Sequence, residues 1–310
     1  MSIPDFQSLM LPILKVLAGA GDRRISQIRE QVATAQGLSP EDLQEKLPSG
    51  RELVFANRVG WALTHMGAAR LLERIGRGIY RITHEGESLL SREPLRIDKK
   101  LLREYPEYRE WRQGRQREKG SIASADVASL DENSSDTPEE AIEKAIGQLN
   151  DVLTDEVLKR IRSASPAFLE GVVVDLMVAM GYGGGNPAMG RVTGGPGDGG
   201  IDGMIRQDAL GLDEIYMQAK RYADDRLVPR DDLQKFVGAI DARGGNKGVF
   251  VTTSSFRDNA KKYVKQSQKR IILIDGPELA RLMVRHGVGV RVRKRYEIKQ
   301  IDEDYFDQET

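Results

Sequence analysis

Apolar residues recur at helical spacing near the amino terminus. Over residues 3–18 they repeat every three or four positions, which is typical of an amphipathic helix with one buried face. Similar spacing predicts a second helix over residues 25–35 and a third over 57–72. Residues 71–75 and 79–83 flank the turn Gly76-Arg77-Gly78, and together they predict a short β-ribbon. Three helices and a terminal ribbon are the elements of a winged-helix domain, predicted at residues 1–91.

Helix and strand periods alternate in the carboxyl-terminal half. A helix at 167–180 is followed by a hairpin whose strands are 201–207 and 214–221. The later elements are a helix at 229–243, a strand at 247–253, a helix capped by Ser254 and Ser255, a strand at 271–274 and a helix at 277–286. The apolar run at 247–253 lacks alternation, as in strands buried on both faces. We therefore predict an α/β domain at 138–290, with a mixed sheet covered on both faces.

Charge separates these two predicted domains. Residues 92–119 mix bases and acids densely, whereas residues 121–143 carry acids and no base. Ser, Asn and Asp concentrate near residues 129–136, so we predict a flexible charged linker over 92–137. Thr137, Pro138 and the acids after them are typical of a helix start. Residues 291–310 are predicted to form a charged tail.

Composition excludes several kinds of site. The 310 residues include no cysteine, so disulfides and thiolate zinc sites are excluded, and the three histidines are too few for a His-based metal site. The formal net charge is zero, and a polyanionic partner is not indicated globally. Arginines cluster at 51–81 and 281–299, which suits either phosphate contacts or an ordinary solvated surface. Lacking a long apolar run, the chain is expected to be cytoplasmic.

The chemistry is concentrated in the predicted hairpin. Strand alternation places Gln218 and Lys220 side by side, and folding the hairpin brings Asp202 toward Gln218. Carboxylate, amide and main-chain carbonyl oxygens suit a Mg²⁺-sized ion, so Asp202, Gln218 and Ala219 are the predicted ligands. Lys220 would orient the attacking water or stabilise charge on phosphorus. The alternative is a surface hairpin with unrelated polar residues, but the glycines around Asp198 and Asp202 favour a ligand site.

Other polar segments give weaker signals. The glycine-rich stretches at 181–185 and 194–200 lack the lysine and serine of a nucleotide-binding loop. Thr252, Thr253, Ser254 and Ser255 have no nearby histidine to activate a nucleophile, so a helix cap or a phosphate-backbone contact explains them better. Glu170 lies on an apolar predicted helix, where it either points outward or is held near a cation.

Several short sequence motifs together resemble those of the Mrr-type restriction endonucleases, a type IV, modification-dependent family. These nucleases have a PD-(D/E)xK core in which glutamine replaces the middle acid. The matching motifs are FLE at 168–170, MGYGG at 180–184, GDGGIDG at 197–203, QAKRY at 218–222, KGVFVTTSSF at 247–256 and LIDG at 273–276. Residues 3–90 also resemble the family's amino-terminal winged helix. One departure is Gly195-Pro196, where a Lys-Ser pair is expected.

The resemblance implies a role for each site residue. Asp202 would be the motif aspartate, Gln218 the replaced acid and Lys220 the catalytic lysine. Glu170 would face the same metal from the preceding helix, and Asp198 is a weaker candidate. The implied function is Mg²⁺-dependent cleavage of methylated double-stranded DNA by a homo-oligomer, nucleoid-associated when bound to DNA. A catalytically inactive DNA-binding regulator, or a nuclease for branched DNA or RNA, is the alternative.

The predicted third helix supplies the candidates for DNA reading. In a winged helix this element enters the major groove and the ribbon reaches the backbone or an adjacent groove. We predict contacts from Arg58, Trp61, Thr64 and His65 on the helix and from Arg77 at the wing tip. Trp61 packed in the core and His65 as an ordinary polar residue are the alternatives, and winged helices also bind proteins.

Overall fold

The computed structural model describes residues 2–19, 21–119, 134–193, 200–208, 210–299, 301–302 and 305. The chain divides into two compact units, Met1–Ile146 with Gln300–Thr310 and Gly147–Lys299. Within the described ranges, none of the helices combines the length and apolar character needed to cross a bilayer.

The amino-terminal unit begins with five helices and a small sheet. The helices are α1 (Phe6–Ala18), α2 (Ile25–Ala35), α3 (Pro40–Gln44), α4 (Val54–Ala68) and α5 (His84–Ser91). The strands are β1 (Arg23–Arg24), β2 (Leu72–Gly76) and β3 (Ile79–Ile82), joined antiparallel in the order β1-β3-β2. The predicted helices and ribbon are all present in the predicted order, although the helix predicted at 57–72 is α4, which starts at Val54 and ends at Ala68. The winged-helix assignment stays a prediction.

A single apolar cluster holds these elements together. The Asp5 carboxylate starts α1 by accepting hydrogen bonds from the main-chain N–H groups of Gln7 and Ser8, at 2.9 and 3.1 Å. The buried face of α1 then packs on α4. Its fully or nearly fully buried side chains are Phe6, Leu9, Met10, Ile13, Leu14 and Leu17. Such burial stabilises each large side chain by about 1.5–3 kcal/mol.

Residues 92–119 differ from the predicted linker. They form α6 (Lys99–Leu102) and α7 (Pro106–Lys119), and Ile97, Leu102 and Tyr108 are fully buried in the cluster that contains α1 and α4. The dense charge of this segment predicts a flexible linker, but its three buried apolar side chains pack it into the core. The next helix, α8 (Pro138–Ser163), begins in this unit and continues past its boundary.

The carboxyl-terminal unit is built on a five-stranded mixed sheet. The strands are β4 (Gly190–Val192), β5 (Gly203–Arg206), β6 (Glu214–Lys220), β7 (Lys247–Thr252) and β8 (Arg270–Ile274), in sequential order. The pairs β4-β5 and β5-β6 are antiparallel, and the pairs β6-β7 and β7-β8 are parallel. The helices are α9 (Pro166–Ala179), α10 (Arg230–Ala242), α11 (Asp258–Gln266) and α12 (Gly276–His286).

Helices cover both faces of this sheet, as the apolar run in β7 predicts. On one face, Ile215 and Met217 of β6 join a cluster with the end of α8, α9 and α12. On the other face, Tyr216 of β6 and Phe250 of β7 pack with α10 and α11. Successive residues of one strand therefore enter different cores, and the mixed α/β fold is confirmed.

Two details of this unit differ from the prediction. β4 was not predicted, and Ser254 and Ser255 do not cap a helix. The residue before α11 is Arg257. Ser254 is fully buried and its hydroxyl donates to the carbonyl oxygen of Arg226 at 2.7 Å, so it ties two loops together.

Candidate active site

The hairpin of β5 and β6 sets the geometry of the site. Its turn is held by Asp208, whose carboxylate accepts from the main-chain N–H groups of Leu210, Leu212 and Asp213 at 2.9, 3.2 and 2.8 Å. These bonds, of which the one from Asp213 has the largest effect, lower the pKa of Asp208, so the carboxylate stays charged to a lower pH than an ordinary aspartate. The closed turn fixes the register that places Gly203 opposite Met217.

Asp202 lies immediately before β5 and is held against β6 by two hydrogen bonds. Its main-chain N–H donates to the Met217 carbonyl at 2.8 Å, and its Oδ2 accepts from the Ala219 N–H at 2.7 Å. The half-buried carboxylate is therefore oriented by the strand that carries Gln218 and Lys220. A charge-assisted bond of this kind is among the stronger hydrogen bonds in proteins.

Gln218 is buried on β6, with 5% of its surface exposed. Among the described residues, its Oε1 has no hydrogen-bond partner. Gly200 approaches the same amide so closely that an added Cβ would lie 2.8 Å from Nε2, and its φ of 85° also favours glycine. A buried carbonyl left unpaired costs about 1–3 kcal/mol, so this oxygen is suited to a ligand.

Lys220 ends β6 on the same face as Gln218, because the two are separated by one residue. Its carbonyl oxygen accepts from the Thr252 hydroxyl at 2.9 Å and from the Thr253 N–H at 3.2 Å. Both threonines are fully buried at the end of β7. The main chain of Lys220 is thus fixed from the neighbouring strand, while its side chain is half-buried.

Comparison with known proteins identifies the family. A family model described as Restriction endonuclease matches residues 161–283, and one described as Mrr N-terminal domain matches residues 6–92. The chain is 33% identical to the type IV methyl-directed restriction enzyme EcoKMrr of Escherichia coli (strain K12), over 99% of this chain and 100% of that protein. The chain belongs to the Mrr family of restriction endonucleases.

Two solved restriction endonucleases also resemble the Mrr-family chain. The modification-dependent enzyme AspBHI is 21% identical over 46% of this chain and 36% of its own, with a TM-score of 0.36. MspJI, solved with a 27-mer oligonucleotide, is 23% identical over 45% of this chain and 32% of its own, with a TM-score of 0.34. At these TM-scores the likeness does not establish a common arrangement.

The residues of the Mrr site fit a divalent cation, which restriction endonucleases typically use. The half-buried Asp202 carboxylate and Gln218 Oε1, which lacks a hydrogen-bond partner within the described ranges, are both hard oxygen donors. The described part of the chain contains no cluster of three or more His, Cys, Asp or Glu side chains that could hold a metal ion. The fit therefore depends on the amide as well as the carboxylate.

Two further predicted ligands stay predictions. Glu170 is half-buried on α9, beside the fully buried Leu169. α9 packs on β4, β5 and β6, so this acid lies on a helix that contacts the strands of the site. The Ala219 carbonyl is likewise a predicted ligand. Asp198 lies outside the described residues.

A network beyond Lys220 was not predicted from the sequence. The Thr253 hydroxyl donates to the Tyr222 carbonyl at 2.7 Å and accepts from the Tyr222 N–H at 2.9 Å. The Tyr222 hydroxyl donates to Asp232 at 2.9 Å, and the Arg226 guanidinium lies 4.0 Å from the centre of the ring. Burial, reinforced by Asp232, raises the pKa of Tyr222 and keeps the phenol protonated. The segment after Lys220 is therefore fixed.

His65 of α4 is half-buried among aromatic rings, and its predicted contact with DNA stays a prediction. It stacks on Phe6 at 5.2 Å between ring centres and meets Trp111 edge-on at 5.4 Å. Its Nδ1 is 2.7 Å from the Tyr108 hydroxyl. The sequence could not reveal this environment because Tyr108 and Trp111 belong to the segment interpreted as a linker.

The other predicted DNA-reading residues have different surroundings. Thr64 is exposed, and its hydroxyl donates to the Gly60 carbonyl at 3.0 Å. Arg77 is exposed at the turn between β2 and β3, as predicted for a wing tip. Arg58 and Trp61 contact acidic residues at the start of α8.

Proposed function

We propose that this chain is a Mg²⁺-dependent endonuclease that cleaves methylated DNA, as the name of its Escherichia coli relative describes for that enzyme. The observation that supports the proposal is that Asp202 Oδ2 accepts from the Ala219 N–H, between Gln218 and Lys220 on β6, while Gln218 Oε1 has no hydrogen-bond partner among the described residues. A carboxylate and an amide are ligands for a hard cation, and an adjacent ammonium suits an anionic transition state.

Each residue of the site has a separate task in hydrolysis. Asp202 and Gln218 would hold the cation, which supplies Lewis-acid polarisation of the phosphate and acidifies a water. Lys220 would hold the attacking water or neutralise negative charge developing on the phosphate oxygens. Thr252 and Thr253 fix the main chain at Lys220, which limits the region that its ammonium can reach. Placing these groups beforehand lowers the entropic cost of reaching the transition state.

Double-strand cleavage requires more than one copy. Each chain has one Asp202, one Gln218 and one Lys220, and one site hydrolyses one strand. We therefore propose that two or more copies act together on duplex DNA. The cytoplasmic and nucleoid locations stay predictions of the sequence.

We expect the protein to nick or linearise methylated plasmid in the presence of Mg²⁺. Unmethylated plasmid should stay intact, and so should methylated plasmid in excess chelator. Agarose electrophoresis of the four combinations checks the expectation. DNA binding without nicking in every combination would instead identify an inactive DNA-binding regulator, and faster cleavage of branched DNA or RNA would correct the substrate.

A further inference from the structure

Three acids at the start of α8 contact donors on and beside α4. The Glu140 carboxylate accepts from Arg58 Nε at 2.8 Å, and Glu139 accepts from the Trp61 indole N–H at 2.6 Å. Glu143 accepts from the main-chain N–H of Ser49 at 2.6 Å. All of these residues belong to the amino-terminal unit.

The donors are of the kinds that proteins present to nucleic-acid phosphates. Guanidinium groups, other polar side-chain donors and main-chain N–H groups all contact phosphate oxygens in protein–DNA complexes. Here each of them meets a carboxylate, which offers the same charge and the same oxygen acceptors. The Arg58 and Glu140 side chains are only 20% and 12% exposed, so this pair is largely shielded from water.

The acidic segment is held in place by the chain before it. The Ser134 carbonyl accepts from Lys99 Nζ at 2.8 Å, and Thr137 is fully buried. Thr137 and Glu140 form reciprocal side-chain to main-chain bonds of 2.8 and 3.2 Å that start the helix. Glu140 therefore has a second, structural role, whereas Glu139 accepts from Trp61 and Glu143 accepts from Ser49.

We propose that Ser49, Arg58 and Trp61 form a phosphate-binding surface for duplex DNA, which the chain's own Glu139, Glu140 and Glu143 occupy in its absence. DNA then binds this surface only by displacing the acids, and the displacement lowers the affinity of the resting protein. The inference rests on the proposed function in taking DNA as the ligand. It adds a surface and an internal competitor to that function.

The test is DNA binding by the full chain carrying Glu139→Gln and Glu143→Gln. Glutamine keeps the size and the acceptor oxygen but removes the charge, so the helix start is retained. Fluorescence anisotropy with a short labelled methylated duplex, at fixed salt and with chelator present, measures affinity whether or not the chain cleaves DNA. We expect binding about tenfold tighter than that of the unmodified chain, because two charged contacts no longer compete.

The matched control is Asp151→Asn with Asp155→Asn. Both aspartates are exposed on α8 and their replacement makes the same change in net charge. We expect this control to bind DNA with an affinity within about twofold of the unmodified chain. Equal tightening in the two double variants, or unchanged affinity in the glutamate variant, would overturn the proposal.

A second measurement detects displacement of the acids without altering them. The chain has two tryptophans, so Trp111→Phe leaves Trp61 as its single indole reporter. Adding the same duplex should shift the Trp61 emission as its bond to Glu139 is replaced. Emission that stays constant while anisotropy reports saturated binding would show that DNA binds elsewhere, and the proposal would be wrong.

Discussion

Replacing Lys220 with alanine is expected to lower the rate of DNA cleavage by about a thousandfold. The ammonium is the cationic member of the site, and its main chain is fixed by Thr252 and Thr253. Because the side chain is only half-buried, its removal should leave the sheet folded. Single-turnover cleavage of methylated plasmid measures the loss, and anisotropy measures DNA binding separately.

The control for this variant is Lys235→Ala. Lys235 is exposed on α10, and its replacement removes the same charge from the same unit. We expect cleavage by the control to equal that of the unmodified chain within about twofold. If the Lys220 variant cleaves as fast as the control, Lys220 has no role in the chemistry.

Asp202→Asn is expected to reduce cleavage by about a thousandfold through the loss of cation binding. Asparagine can still accept a hydrogen bond from the Ala219 N–H, so the hairpin should keep its register. It lacks the negative charge that attracts a hard cation, and the remaining amide at Gln218 is neutral. Electron paramagnetic resonance of added Mn²⁺ should show affinity at least about tenfold weaker than that of the unmodified chain.

Asp231→Asn is the matched control for that substitution, since Asp231 is exposed at the start of α10. We expect it to leave both cleavage and Mn²⁺ affinity unchanged. Loss of cleavage in Asp202→Asn with undiminished Mn²⁺ binding would separate this carboxylate from the cation and require another role for it.

The local pattern of the sequence was sufficient for the hairpin. Alternation along β6 predicted that Gln218 and Lys220 share a face, and the turn residues predicted the pairing that carries Asp202 to the same strand. Both follow from the two-residue period of a strand. The buried strand β7 and the amphipathic α1 were predictable for the same reason, because each has a regular apolar period.

Features that depend on distant contacts were not predictable. β4 has three residues, too few to show alternation, and is defined by pairing with β5. α7 reads as a charged linker, although Tyr108 is fully buried. The contact between Arg58 and Glu140 joins positions 82 residues apart. A single sequence gives the propensity of each segment but not which distant segment covers it.

The position of Mn²⁺ in crystals of the protein grown with a short methylated duplex tests directly whether Asp202 and Gln218 bind the cation. We expect an anomalous scattering peak in contact with the Asp202 carboxylate and Gln218 Oε1, with the Lys220 ammonium facing the same phosphate. A fully occupied Mn²⁺ bound elsewhere, with Asp202 and Gln218 making only protein contacts, would contradict it.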